Sequence, residues 1–312
     1  MSARAWIVLV ALVAAGACGL QDLTLVEAED MVVADVYVEL SGGTRGESRA
    51  TAWLHHTLEN GFPSSMPVPG ARVVVKGVGG LVVPLSETAD SVCVSSTPVT
   101  RSGSCYAADT ALVARIKPGD ALQVEISLPG GGSLRGASTV PGDFRLLTPP
   151  AGPICGLEAY TPLETRWTRS GGAWAYVSET QISGLRKALA PRSISVPGEP
   201  FYMRGLSMSA ADTTVVFPGG LGYVERFEVD RDLWDALQEG LPWSTDSRVT
   251  ITAADRNYVN WNRMENFNPS GLVRVPSLRG DGTGVFATSV TRSFRAIVPA
   301  QGAQPRQPRC RG

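Results

Sequence analysis

Residues 121–128 read Ala-Leu-Gln-Val-Glu-Ile-Ser-Leu, and this octapeptide decides the fold class. Leu122, Val124, Ile126 and Leu128 alternate with Gln123, Glu125 and Ser127, so an extended chain puts every apolar side chain on one face and every polar one on the other. A helix would scatter the same residues around its axis. Pro118-Gly119 precedes the run and Pro129-Gly130 follows it. Proline presets φ and glycine supplies φ > 0, so both pairs mark turns. With Pro141-Gly142 they recur at the interval of consecutive strands in a β-sandwich or barrel.

The same alternation extends outward in both directions. Val36, Val38 and Leu40 alternate with Tyr37 and Glu39, and Ala71, Val73 and Val75 alternate through 71–77. Further Pro-Gly turns stand at Pro69, Pro197 and Pro218. Leu163–Trp167 and Ala173–Val177 read as two strands joined through Gly171-Gly172, with more strands at 213–217, 248–252 and 284–298. Two short helices interrupt the pattern. Ile182, Leu185 and Leu189 share a helical face that Pro191 ends, and Leu233, Trp234, Leu237 and Leu241 form a stripe behind Asp230 and Asp232, which would favour the helix N-terminus. Thr148-Pro149-Pro150-Ala151-Gly152-Pro153 has few backbone donors and is stiff, the composition of a linker. The expected architecture is mainly β: a β-sandwich over 29–147, a Pro-rich linker over 148–154, a second β-sandwich with one or two short helices over 155–299, and a tail over 300–312.

Length and charge agree with that reading. The 312 residues suit two domains at roughly 100 to 200 residues each. A chain 43% hydrophobic and 18% charged, with net charge -1, is too apolar for general disorder and has no excess of positive charge to neutralise nucleic-acid phosphates. Its two histidines leave little of the commonest catalytic base.

The N-terminus points to export. Arg4 precedes the apolar stretch Ala5–Ala15, too short to span a bilayer as a helix and suited to a signal peptide over 1–17. Ala15-Gly16-Ala17-Cys18 admits two outcomes: cleavage by signal peptidase I to release a soluble periplasmic or secreted protein, or acylation of Cys18 with cleavage before it. An exported chain tends to pair its thiols. Of Cys18, Cys93, Cys105, Cys155 and Cys310, lipidation of Cys18 leaves an even number. The expected product is a lipoprotein with a short tether over 18–28, and Gly19 in place of an aspartate favours the outer membrane. Cys93 with Cys105 would staple a hairpin tipped by 98–103, and Cys155 with Cys310 would close the second domain and tie down its tail, although other pairings fit the sequence too.

Pro69–Val75, Cys105-Tyr106-Ala107, Pro118–Ile126 and Gly136–Gly142 resemble the first domain of a family of uncharacterised bacterial outer-membrane lipoproteins often encoded beside TonB-dependent receptors. That domain is similar to the transthyretin-like regulatory sandwich of carboxypeptidases. Gly282–Ala287 resembles the family's Gly-rich C-terminal strand, and Leu163–Val177 resembles the opening of a fibronectin type III sandwich. The resemblance implies two sandwiches of those kinds and a TonB-dependent receptor or other outer-membrane protein as partner.

Chemical motifs give little. His55-His56 would point to opposite faces of a strand and cannot easily share one metal ion. The acids Glu225, Glu228, Asp230, Asp232 and Asp235 lack the spacing of a calcium loop, since Trp234 falls where a ligand is needed. There is no Gly-x-Ser-x-Gly turn, and Gly130-Gly131-Gly132 lacks the Lys-Ser/Thr of a phosphate loop. Arg279-Gly280-Asp281 reads as a turn. No catalytic set, metal site or cofactor is expected. Trp53, Trp174, Trp243, Tyr258 and Trp261 could form an exposed platform for a sugar or an apolar partner, with Asn257, Asn260, Asn262, Asn266 and Asn268 nearby, whereas Trp167 and Tyr176 read as core. The expected function is that of a non-catalytic binding or accessory component of an outer-membrane assembly. An envelope hydrolase with a site between the sandwiches and a structural spacer are the alternatives.

Overall fold

The computed structural model of the chain describes residues 29–42, 48–59, 62–63, 66–93, 102–149, 154–207, 209–217, 231–267 and 275–310. The signal-like segment, Cys18, the linker residues 150–153 and the acids at 225–230 lie outside them.

The fold is mainly β. Its strands are β1 (Val32–Ser41), β2 (Arg49–His56), β3 (Leu58–Glu59), β4 (Phe62–Pro63), β5 (Arg72–Lys76), β6 (Val82–Thr88), β7 (Ser104–Ala108), β8 (Ala121–Ser127) and β9 (Ser133–Thr139). They continue as β10 (Leu146–Thr148), β11 (Ile154–Gly156), β12 (Leu163–Trp167), β13 (Ala175–Ser183), β14 (Phe201–Leu206), β15 (Thr214–Phe217), β16 (Asp246–Ala254), β17 (Arg279–Gly280) and β18 (Thr283–Ile297). Among the described residues five α-helical segments interrupt them, α1 (Asp90–Cys93), α2 (Thr110–Val113), α3 (Leu185–Leu189), α4 (Arg231–Gln238) and α5 (Arg256–Phe267), with short 3-10 turns at Val78–Gly80 and Ala190–Arg192.

One 13-stranded sheet runs in the order β14-β13-β16-β18-β1-β2-β7-β6-β5-β8-β9-β17, with β11 also on β18. β8 is the half-buried strand its alternation predicts, with Leu122, Val124 and Ile126 inside. β1 alternates equally cleanly. The last long strand, β18, is central. It pairs in parallel with β1, from Val33 opposite Thr283 to Ser41 opposite Thr291, and antiparallel with β16 over its later half. Residues 284–291 are buried without alternation, as expected of a strand covered on both faces. Strand pairing therefore passes directly from one expected domain to the other, and a single hydrophobic cluster extends from Val32 to Cys310.

β10, β12 and β15 form a second, three-stranded sheet. Leu163–Trp167 and Ala173–Val177, expected as the two arms of one hairpin, instead belong to different sheets: β12 pairs with β10 and β15, and β13 pairs with β14 and β16. The turn at Gly171-Gly172 carries the chain between layers, and Trp167 meets Tyr176 edge-on at 5.3 Å in the core between them. Ile182 ends up in β13; Gly184, at φ 83, separates it from α3, where Leu185 and Leu189 are buried. Glycine accepts this left-handed conformation without Cβ strain.

Both expected disulfides form, Cys93–Cys105 and Cys155–Cys310. Residues 98–101 of the expected hairpin tip lie outside the described residues, and the strand that carries Cys105, β7, pairs antiparallel with the preceding β6. The first bridge joins the end of α1, where Asp90–Cys93 coils into a helical turn, to β7.

Candidate functional site

Asp255 lies at the turn between β16 and α5 and is only 5% exposed. Its Oδ1 accepts from the Tyr258 backbone N–H at 2.7 Å, an N-cap of α5. Its own N–H donates to the Thr288 carbonyl of β18 at 3.1 Å, and its Oδ2 accepts a short hydrogen bond from the Ser138 hydroxyl of β9. The Ser138 and Thr288 hydroxyls are 2.8 Å apart, and the Thr288 hydroxyl donates to the Thr139 carbonyl at 3.0 Å. Asn257 spends both amide hydrogens, on the Ala137 carbonyl at 3.0 Å and the Phe286 carbonyl at 2.9 Å. These side chains thus bridge β9 to β18 where the antiparallel partnership with β16 stops at Ala254–Ser289.

Burial pushes the Asp255 carboxyl up to about 6, against the lowering effect of its bonds from Ser138, Tyr258 and Thr288. An unfolded aspartate releases its proton near pH 4, so the folded chain holds the extra proton in the interval and stability falls as pH rises through it. Relative to Asp255→Asn, the wild type is expected to lose about 3 kcal/mol between roughly pH 3 and pH 7. Urea melts of both proteins at the two pH values check this, and parallel losses would refute it. The Ser138 hydroxyl donates directly to Asp255, without the imidazole that stands between serine and carboxylate in a Ser-His-Asp triad. His55 Nδ1 bonds the His56 carbonyl and His56 Nδ1 bonds Asp30, both on or beside β2. Among the described residues, no group of three or more His, Cys, Asp or Glu could hold a metal ion.

The five expected aromatic residues do not assemble into one exposed platform. Trp261 is 5% exposed because α5 lays it on Val285 and Ala287 of β18. Tyr258 packs on the same cluster and meets Tyr37 edge-on at 5.9 Å, and burial raises its hydroxyl above the usual tyrosine range. Trp53 is half-buried on β2 with its indole against Gly103, and Trp243 is half-buried against the main core. Trp174 alone of the five is 48% exposed, with the Arg256 guanidinium 5.3 Å from its ring centroid. Of the asparagines, Asn257 is structural and Asn260 lines a groove of about 620 Å³. Sequence reasoning missed both Asp255 and this groove. An aspartate immediately before α5 was the available signal, but it needed α5 itself to be recognised.

No family model matches the chain, and no curated protein matches it. Among solved structures, it is similar to a DUF4785 family protein from Legionella pneumophila, at 9% identity with a TM-score of 0.19, over 70% of this chain. The chain spans about half (51%) of that structure's length.

Proposed function

We propose that the chain is a non-catalytic cell-envelope lipoprotein, held on the outer membrane by a lipid on Cys18, that acts as a binding or accessory component of an outer-membrane assembly such as a TonB-dependent transporter. The observation that carries this reading is cysteine parity. Four of the five cysteines are taken up in two disulfides, which suits an oxidising compartment and leaves Cys18 for acylation. A lipid-held chain gains about 0.8 kcal/mol per buried CH2, so several acyl chains keep it at the membrane. Recognition then rests on surface complementarity.

Intact mass of the mature chain tests the anchor: a chain beginning at Cys18 and carrying acyl mass is expected, and an unmodified chain lacking that mass would overturn it. Mild detergent extraction followed by co-purification tests the partner. A stable outer-membrane receptor in the eluate is expected, whereas a lone monodisperse protein with hydrolytic turnover would overturn the accessory role.

A further inference from the structure

Arg279 of β17 stands directly opposite Arg135 of β9 in an antiparallel pair. Both are exposed, and the buried Leu134 next to Arg135 turns the two guanidinia to the outer face. Residues so paired have Cβ atoms about 5 Å apart, and like charges there repel. On its other side Arg135 faces Glu125 of β8, which also lines the groove of about 620 Å³; Lys76 Nζ donates to Glu125 Oε2 at 2.6 Å and, with a weaker pull from Arg135 and Arg72, holds that carboxyl below the usual range. Asp281 is similarly occupied, its Oδ2 accepting from the Ser133 N–H at 2.8 Å. Neither arginine makes an ion pair among the described residues. The turn that imposes the juxtaposition is built in: Gly280 has φ 134 and a Cβ there would strike the Ser133 carbonyl.

Both arginines line the 620 Å³ groove, together with Arg256. Ala137, on the same face as Arg135, brings only a methyl group to its floor, and Gln123 and Asn260 supply amide donors and acceptors. A neighbouring depression of about 420 Å³ shares Gln123 and Ala137, so the concavity continues as a trough toward Lys76. An oxyanion between the two guanidinia would turn repulsion into two charge-assisted, fork-shaped contacts. The elongated, amide-lined shape suits hydroxyl groups on either side of that anion.

We propose that this trough binds an acidic oligosaccharide, its carboxylate or phosphate between Arg135 and Arg279 and its hydroxyls against Gln123 and Asn260. This gives a ligand class to the binding role proposed above and rests on that role only in that the chain binds; its test needs neither lipid nor receptor, so either reading can fail alone. Calorimetric titration of the purified full chain with hexagalacturonate and with a phosphorylated glucosamine disaccharide is expected to give saturable binding to at least one, weakening as salt rises. R135S/R279S should weaken that binding at least about tenfold with a thermal midpoint equal to or above wild type, since the repulsion is gone. If the double variant does not fold, R135S alone is read in the same way. Four results would overturn the proposal: equal affinity for neutral maltohexaose, binding of inorganic phosphate or phosphatidylglycerol vesicles but of neither oligosaccharide, unchanged affinity in the variant, or no saturable binding to either oligosaccharide.

Discussion

Gly284→Ala removes most or all of the folding stability of the chain. Gly284 sits in β18 at φ 137, opposite Ala34 of β1. A Cβ at this position would be driven into the Ala34 carbonyl oxygen, and backbone cannot swing aside as a flexible side chain can. The positive φ adds about 1 to 3 kcal/mol of strain for any residue with a Cβ. Clash and strain together are expected to cost more than about 4 kcal/mol, which few single substitutions reach, against a typical domain stability of about 5 to 15 kcal/mol. The measurement is soluble yield with far-UV circular dichroism, followed by urea melts of whatever folds. A variant that melts with the wild type would show that β1 and β18 separate without consequence, and would contradict the pairing described above. Gly70, also at positive φ but with open space around its missing Cβ, is the control: alanine there should lose only the strain.

Loss of the Cys155–Cys310 bridge is the second large effect. Its sequence separation is 155, and the loop-entropy relation gives about 5 kcal/mol for a closure of that length, against about 3 kcal/mol for Cys93–Cys105 at separation 12. Both sulfur-bearing residues are buried in the main core. The chain end is held there by backbone as well, with the Cys310 N–H donating to the Gly156 carbonyl at 2.9 Å and the Gly156 N–H to the Pro308 carbonyl at 2.8 Å. C155S/C310S should therefore lower the urea midpoint more than C93S/C105S does. The reverse order would mean that the long loop is already compact when unfolded.

The strands were legible where one face is buried and the other wet. Leu122, Val124 and Ile126 gave β8, and Val36, Val38 and Leu40 gave β1, because period-two alternation has a single extended solution. Leu185 with Leu189 and Leu233 with Leu237 gave α3 and α4 for the matching helical reason, and all four are buried. The 12-residue α5 was missed because it follows a strand without a glycine or proline break and is rich in asparagine, so its polar residues read as ligand contacts. Its buried Trp261 read as exposed for the same reason. The hairpin expected at Gly171-Gly172 failed because alternation within a strand says which face is apolar but not which sheet the strand joins. The Arg135–Arg279 juxtaposition was out of reach, since it depends on a register between strands 144 positions apart in the chain.

The parallel pairing of Val33 with Thr283 also sets a clock. At about 5 to 20 residues per second, roughly 10 to 50 s pass between the synthesis of β1 and that of the strand that covers its edge. Throughout that interval the N-terminal half holds an open row of backbone donors and acceptors that invites foreign strands. The order of the chain thus makes completion of the sheet nearly its last event.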